Sequence, residues 1–193
     1  MRIAAVAIIA LMLPLLILAQ QDKSQRVSPP AKVELTLNGK KITVEYSRPK
    51  IRDPRTGEVR KIMGGVVPYG QPWRTGANEA TAFVSEGDVN VGGVHVPKGA
   101  YTLFTIPNEN SWWFIISKKT GEWGDPYPGA QDDFAVMPMQ LEHLSQAVDL
   151  FTITLDPPRP RPSMTSGSGK ATPGRLCLAW ENTKACVTLA AIE

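Results

Sequence analysis

The residues best equipped for chemistry crowd into Pro68–Glu79, where Tyr69, Trp73, Arg74, Thr75, Asn78 and Glu79 are separated only by Gly, Pro, Gln and Ala. The stretch follows neither the helical nor the strand period, so it reads as an ordered loop. Arg74 offers a planar fork of donors for a carboxylate, a phosphate or sugar hydroxyls. Trp73 offers an apolar platform, and Asn78 with Glu79 a mixed donor and acceptor edge. These six residues form a candidate binding surface for a small polar or glycan ligand. A structural alternative uses the same residues: an Arg74–Glu79 ion pair would pin the loop over a sheet, with Trp73 in the core. A catalytic alternative is a hydrolase acting on a glycan or cell-wall fragment, with Glu79 or Asp132 as acid or base and Arg74 holding an anionic group.

Other chemistry fails on context. His95 and His143 are the only side chains that ordinarily titrate near neutrality. His95 points outward in an alternating Val94-His95-Val96 strand, and His143 stands beside Glu142 without H-E-x-x-H spacing. Ser47-Arg48-Pro49-Lys50 and Lys119-Thr120-Gly121 match fragments of the serine acyltransferase signature, but the first precedes a Pro/Gly loop where a helix is needed and no S-D-N lies between them. Gly167-Ser168-Gly169-Lys170-Ala171-Thr172 lacks the first glycine and the hydroxyl residue after lysine that a phosphate loop requires. No metal or cofactor is expected, and the balance favours a non-catalytic module.

The elements that must position the loop are strands. Val33–Leu37 and Lys40–Tyr46 alternate around Asn38-Gly39, the signature of a type I′ hairpin pairing Leu35 with Ile42 and Val33 with Val44 on one apolar face. Further strands are expected at Thr81–Ser85, Asp88–Val91, Val94–Val96, Tyr101–Ile106 and Trp112–Ser117, the last apolar in both parities and so covered on both faces. Phe134–Met139 and Leu150–Leu155 read as two more, with one helical turn at Leu141–Gln146 between them. Arg175–Trp180 and Ala185–Leu189 read as a closing hairpin that turns within Glu181–Lys184 and sends Leu176, Leu178, Trp180, Ala185, Val187 and Leu189 to the core. Short strands at this spacing with no amphipathic helix predict an all-β domain, a two-sheet antiparallel sandwich or jelly-roll-like fold with long loops.

Met1–Ala19 reads as a signal peptide: Arg2, an apolar run from Ile3 to Leu18 broken by Pro14, then Ala19 before a polar stretch. The run is shorter than the ~18–20 residues that span a bilayer. The chain is therefore expected outside the cytoplasm, periplasmic or extracellular, with no membrane span after signal removal. Residues 20–31 read as a flexible leader and 32–193 as one β domain carrying a Pro/Ser/Gly-rich insertion at 156–174. Among 193 residues, 21 Lys and Arg nearly balance 18 Asp and Glu, which argues against nucleic-acid binding. The charges are nevertheless divided, with nine bases and three acids from Lys40 to Arg74 against seven acids and no Lys or Arg from Glu122 to Asp156. Either the two regions neutralise each other or the first rims a site for an anion. Nothing in the sequence fixes an oligomeric state.

Cys177 and Cys186, close together in an exported chain, favour a disulfide over free thiols. A turn at Asn182-Thr183 makes them diagonal neighbours, and a turn at Glu181-Asn182 makes them direct partners.

Lys61–Gly70, Trp73–Thr81, Pro97–Pro107 and Trp180–Thr183 together resemble the bacterial family called domain of unknown function 2911. The similarity runs from about Gln25 to Ile192 and implies a secreted bacterial protein with no established activity. The chain departs from the family pattern by longer loops at Asp53–Val59 and Asp156–Gly174.

Overall fold

A computed structural model of the chain describes residues 23–159 and 172–192; the signal segment, the start of the leader and most of the 156–174 insertion lie outside them. The described residues form no α-helix. Nine strands run β1 Pro30–Leu37, β2 Lys40–Ser47, β3 Thr81–Ser85, β4 Val89–Val91, β5 Val94–Val96, β6 Gly99–Pro107, β7 Trp112–Ser117, β8 Asp133–Asp156 and β9 Gly174–Ala191. They make one antiparallel sheet in the order β1-β2-β3-β6-β7-β8-β9-β4-β5, not closed into a barrel.

The sandwich expected as two sheets is one sheet folded over a single core. The fold follows from the length of β8, whose first residues pair with β7 and whose remainder pairs with β9. Ile42, Phe83 and Leu103 from one half meet Val89, Leu176 and Leu178 from the other. Tyr46 of β2 closes the space between the halves: its ring stands edge-on to Phe151, and its hydroxyl accepts the Ile153 N–H at 2.9 Å. Each fully buried phenylalanine of this interior, Phe83, Phe114 and Phe151, contributes about 1.5–3 kcal/mol. Just beyond β2, Pro49–Ile51 adds a short antiparallel bridge to β8, with Ile51 N–H on Asp149 O and Phe151 N–H on Pro49 O, both at 2.9 Å.

The first hairpin has the predicted register, Val33 opposite Val44 and Leu35 opposite Ile42. Its turn residues Asn38 and Gly39 have φ of 48° and 74°, as a type I′ turn demands. In β7, Trp112, Phe114 and Ile116 face the core and Ile115 is buried on the other side, while Trp113 remains 42% exposed.

Two local expectations are corrected. Phe134–Met139 and Leu150–Leu155 belong to the single strand β8, with no helical turn at Leu141–Gln146, because Gln140–His143 finds backbone partners in Thr183–Cys186. The register then jumps between His143 and Val148, so the residues between them are an outward bulge. The expected closing hairpin is likewise one strand, β9, whose two halves pair with β8 and not with each other. Nine extended residues would span roughly 30 Å. Cys177 and Cys186 are nine apart yet their Cα atoms lie 4.1 Å from each other, joined by a disulfide, so β9 doubles back between them. Glu181, at φ 49°, lies in that bend. Leu176, Leu178, Trp180, Ala185, Val187 and Leu189 all reach the core as their alternation predicts.

Candidate functional site

The loop after residue 67 is held by the unpaired half of β6. Strand β3 covers only Gly99–Leu103, which leaves the Thr105 and Pro107 backbone groups without a strand partner on that edge. The loop supplies it: Trp73 and Thr105 exchange N–H···O bonds of 2.7 and 2.9 Å, and Gly70 N–H donates to Pro107 O at 2.8 Å. This pairing gives the loop a strand's alternation over Trp73 and Arg74. Trp73 turns inward, stacked on Trp180 with ring centroids 5.9 Å apart and edge-on to Phe151 at 5.1 Å, and its Nε1 donates to Gly76 O. Arg74, the next residue, lies with its Cβ against Gly124.

The turn that follows is tight. Thr75 and Asn78 sit at φ of 55° and 58°. For β-branched Thr75 this left-handed geometry costs about 1–2 kcal/mol. Buried bonds hold it there: Thr75 Oγ1 meets Thr105 Oγ1 at 3.3 Å, and Thr81 Oγ1 donates to Thr75 O at 2.6 Å. Asn78 Nδ2 donates to Ser28 O at 3.1 Å. The Glu122–Pro128 loop closes over the outer side, with Ala80 N–H on Glu122 O. Gly124 makes this approach possible, since a Cβ there would lie 2.8 Å from the Cβ atoms of both Ala80 and Arg74.

Arg74 and Glu79 do not pair. Glu79 is held by Arg26 Nη1 at 2.5 Å and Lys23 Nζ at 3.1 Å, both from the segment preceding β1. Burial pushes its carboxyl up, but hydrogen bonds from Arg26, from its own backbone N–H and from Lys23 outweigh this and bring its pKa down to about 2. Such a group stays ionised and paired near neutrality, a poor match for proton transfer. It lines a separate concavity of about 500 Å³ on the sheet's outer face, with Glu45 and Glu122. Asp132 lines neither this concavity nor the cavity below; its backbone carbonyl receives the Lys118 N–H at 2.8 Å.

Arg74 spends Nη1 on two carbonyls, Asn78 O at 3.1 Å and Trp123 O at 3.3 Å. Its Nε and Nη2, the side-on edge of the guanidinium, make no hydrogen bond among the described residues. The nearest charge to that edge is Asp125 Oδ2, 3.7 Å from Nη2 on a side chain 75% exposed. A cavity of about 850 Å³ opens here, with Trp73 and Pro72 on its apolar side and the buried Trp180 and Val67 behind them. Lys50, Arg55, Arg60 and Arg74 stand around it against Asp53 and Asp125. Arg60 is largely committed, donating to Ile51 O at 3.2 Å and Lys50 O at 2.6 Å. The side chains of Lys50 and Arg55 form no ion pair among the described residues. Tyr127 closes one wall, where burial and its bond to Asp133 push the phenol up; burial, opposed by that bond, also raises Asp133.

Of the six residues singled out by the sequence, Trp73 and Arg74 line this cavity and Glu79 the other. Thr75 and Asn78 shape the loop backbone, and Tyr69 lies over Gly64, whose Cβ would meet its ring at 2.6 Å. Lys50, Asp53, Arg55 and Asp125 were not singled out; their one trace in the sequence is the basic excess before Arg74 and the acidic excess after Glu122. Glu181 was missed as well. Its Oε1 and Oε2 accept the Ile62 and Met63 N–H groups at 3.1 and 3.2 Å, which fixes the segment that leads into the loop. Among the described residues no group of three or more His, Cys, Asp or Glu is arranged to hold a metal ion, and no helix is long and apolar enough to cross a membrane.

Fold and site together describe an antiparallel β domain with a loop-walled cavity at a sheet edge. The chain belongs to the family described as "Protein of unknown function (DUF2911)", which it matches over residues 28–189. Searches of curated proteins and of solved structures give no match.

Proposed function

We propose that the protein is an exported, non-catalytic binding module of the cell envelope whose small polar or glycan ligand occupies the cavity beside Trp73 and Arg74. The observation that carries this reading is the state of Arg74: one nitrogen anchors the loop, while its side-on donor edge has only a loose, exposed neighbour in Asp125. A guanidinium so placed recognises oxygen ligands without giving up its structural bonds. The left-handed Thr75 adds support, because costly backbone held by surrounding bonds concentrates at ligand sites. Export rests on the apolar segment at 1–19 and is compatible with the Cys177–Cys186 disulfide.

The test is a thermal-shift screen of glycans, peptidoglycan fragments and small carboxylates against the wild type and Arg74→Ala. A true ligand at one hundred times its Kd stabilises by about 2.7 kcal/mol, and the folded variant loses that gain. A panel without a hit, or hits that Arg74→Ala retains in full, overturns the reading. Failure of Arg74→Ala to fold would make the arginine a structural residue.

A further inference from the structure

Resting on that reading, we infer that the ligand is an acidic saccharide: a sugar ring carrying a carboxylate that docks side-on against Arg74. With Nη1 held by Asn78 O and Trp123 O, the Nε and Nη2 edge of the guanidinium is left as two parallel N–H donors in one plane, and a planar carboxylate is the group whose two oxygens match that fork. Four basic side chains face two acidic ones around the cavity, so the site carries a positive surplus. Asp125 stands where the ligand carboxylate belongs, 3.7 Å from Nη2, and its exposure leaves it free to swing away.

The rest of the cavity selects what bears the carboxylate. Its apolar side, Trp73 and Pro72, suits the C–H face of a pyranose ring. Its rim mixes donors Lys50, Arg55 and Gln71 with the acceptor Asp53. A fatty acid has nothing to offer those groups, whereas sugar hydroxyls donate and accept and satisfy both kinds. A volume of about 850 Å³ lies within the range of small-ligand sites and admits more than one sugar ring.

The experiment is ligand-observed NMR titration of the full mature chain with glucuronate, galacturonate and mannuronate, each beside its neutral parent sugar, with octanoate and inorganic phosphate as controls. At least one uronate should bind about tenfold or more tightly than its parent, and Arg74→Lys, which keeps the charge but loses the fork, should remove that preference. Asp125→Asn, on an exposed side chain, should tighten the uronate about two- to fivefold by removing a competitor for the fork, and leave the neutral sugar unchanged. That gain keeps the inference testable should Arg74→Lys fail to fold. Equal binding of a uronate and its parent overturns the carboxylate and leaves the cavity reading intact. Tighter binding of octanoate or phosphate than of every uronate overturns the saccharide. Absence of any uronate binding up to about 10 mM overturns the inference alone, since the broader screen tests the cavity separately.

Discussion

Replacing Glu181 tests how the loop frame is held. Its two carboxylate oxygens accept the N–H groups of Ile62 and Met63 at 3.1 and 3.2 Å. Those residues are 0% and 6% exposed, so water does not readily take the place of the carboxylate. A buried donor left without a partner costs about 1–3 kcal/mol. Glu181→Ala strands both, and with partial relaxation toward the half-exposed Glu181 site the loss should be about 3 kcal/mol. Glu181→Gly strands the same two donors but removes the left-handed penalty that any side chain meets at φ 49°, so it should be about 1 kcal/mol more stable than the alanine variant. The assay is equilibrium urea unfolding followed by tryptophan fluorescence. With a slope near 2 kcal/mol/M, Glu181→Ala should lower the midpoint by about 1.5 M. A loss below about 1 kcal/mol, or a glycine variant no better than alanine, would refute the assignment of Glu181 as the anchor of the 62–63 backbone.

Three further perturbations follow from the same geometry. The Glu79 carboxyl sits at about 2 in the folded state against an ordinary 4.5, so its contribution is complete above 4.5 and fades as pH falls toward 2. Because the side chain is 38% exposed, screening limits that contribution to about 1 kcal/mol, and Glu79→Gln should flatten the acid limb by that amount when urea midpoints are compared across this range. Gly124→Ala should cost about 2–3 kcal/mol, read from the same unfolding curves, since its Cβ would press on Arg74 and Ala80 at 2.8 Å from a φ of 83°. The Cys177–Cys186 bond closes a separation of nine residues and should contribute about 2.5 kcal/mol. In denaturant without reductant no thiol should react, and two reactive thiols would exclude the bond.

What could be read from the chain was what neighbours decide. Asn38-Gly39 dictates its own turn, and the turn sets the register of Val33, Leu35, Ile42 and Val44. β3, β5 and β7 fall where their alternation and flanking turns put them. The misreadings lie where a distant partner wins. Leu141–Gln146 resembles a helical turn until Thr183–Cys186 arrives to pair with it, and β9 resembles a hairpin until β8 takes both of its halves. Its core residues were still identified correctly, because alternation fixes the inward face whichever strand supplies the hydrogen bonds. The partner of Glu79 had no local signal at all: Arg26 is 53 residues away, in a segment whose composition suggested only a flexible leader.

The motifs that carry the family likeness turn out to be one mechanical assembly. Trp180 stacks on Trp73, Glu181 grips Ile62 and Met63, and Trp73 bridges to Thr105, so the four motif segments brace one another around the cavity floor. Alternation explains the economy: in Trp73-Arg74 the first residue goes to the core and the second to the site, and in Trp180-Glu181 the first again enters the core while the second holds backbone. Arg74 therefore belongs to that frame. The groups that would choose among ligands do not. Lys50, Asp53, Arg55 and Asp125 lie outside those motifs, and Asp53 with Arg55 stands in the very loop by which this chain departs from the family pattern. That loop is held at its base by Arg60 to Ile51 and Lys50 and by Asp53 N–H to Glu58 O at 2.8 Å, and within itself by Arg52 to Gly57 O and by Arg55 N–H to Asp53 Oδ1. The frame therefore fixes Arg74 in this chain, while the rim groups that the proposed ligand would meet stand on loops outside it.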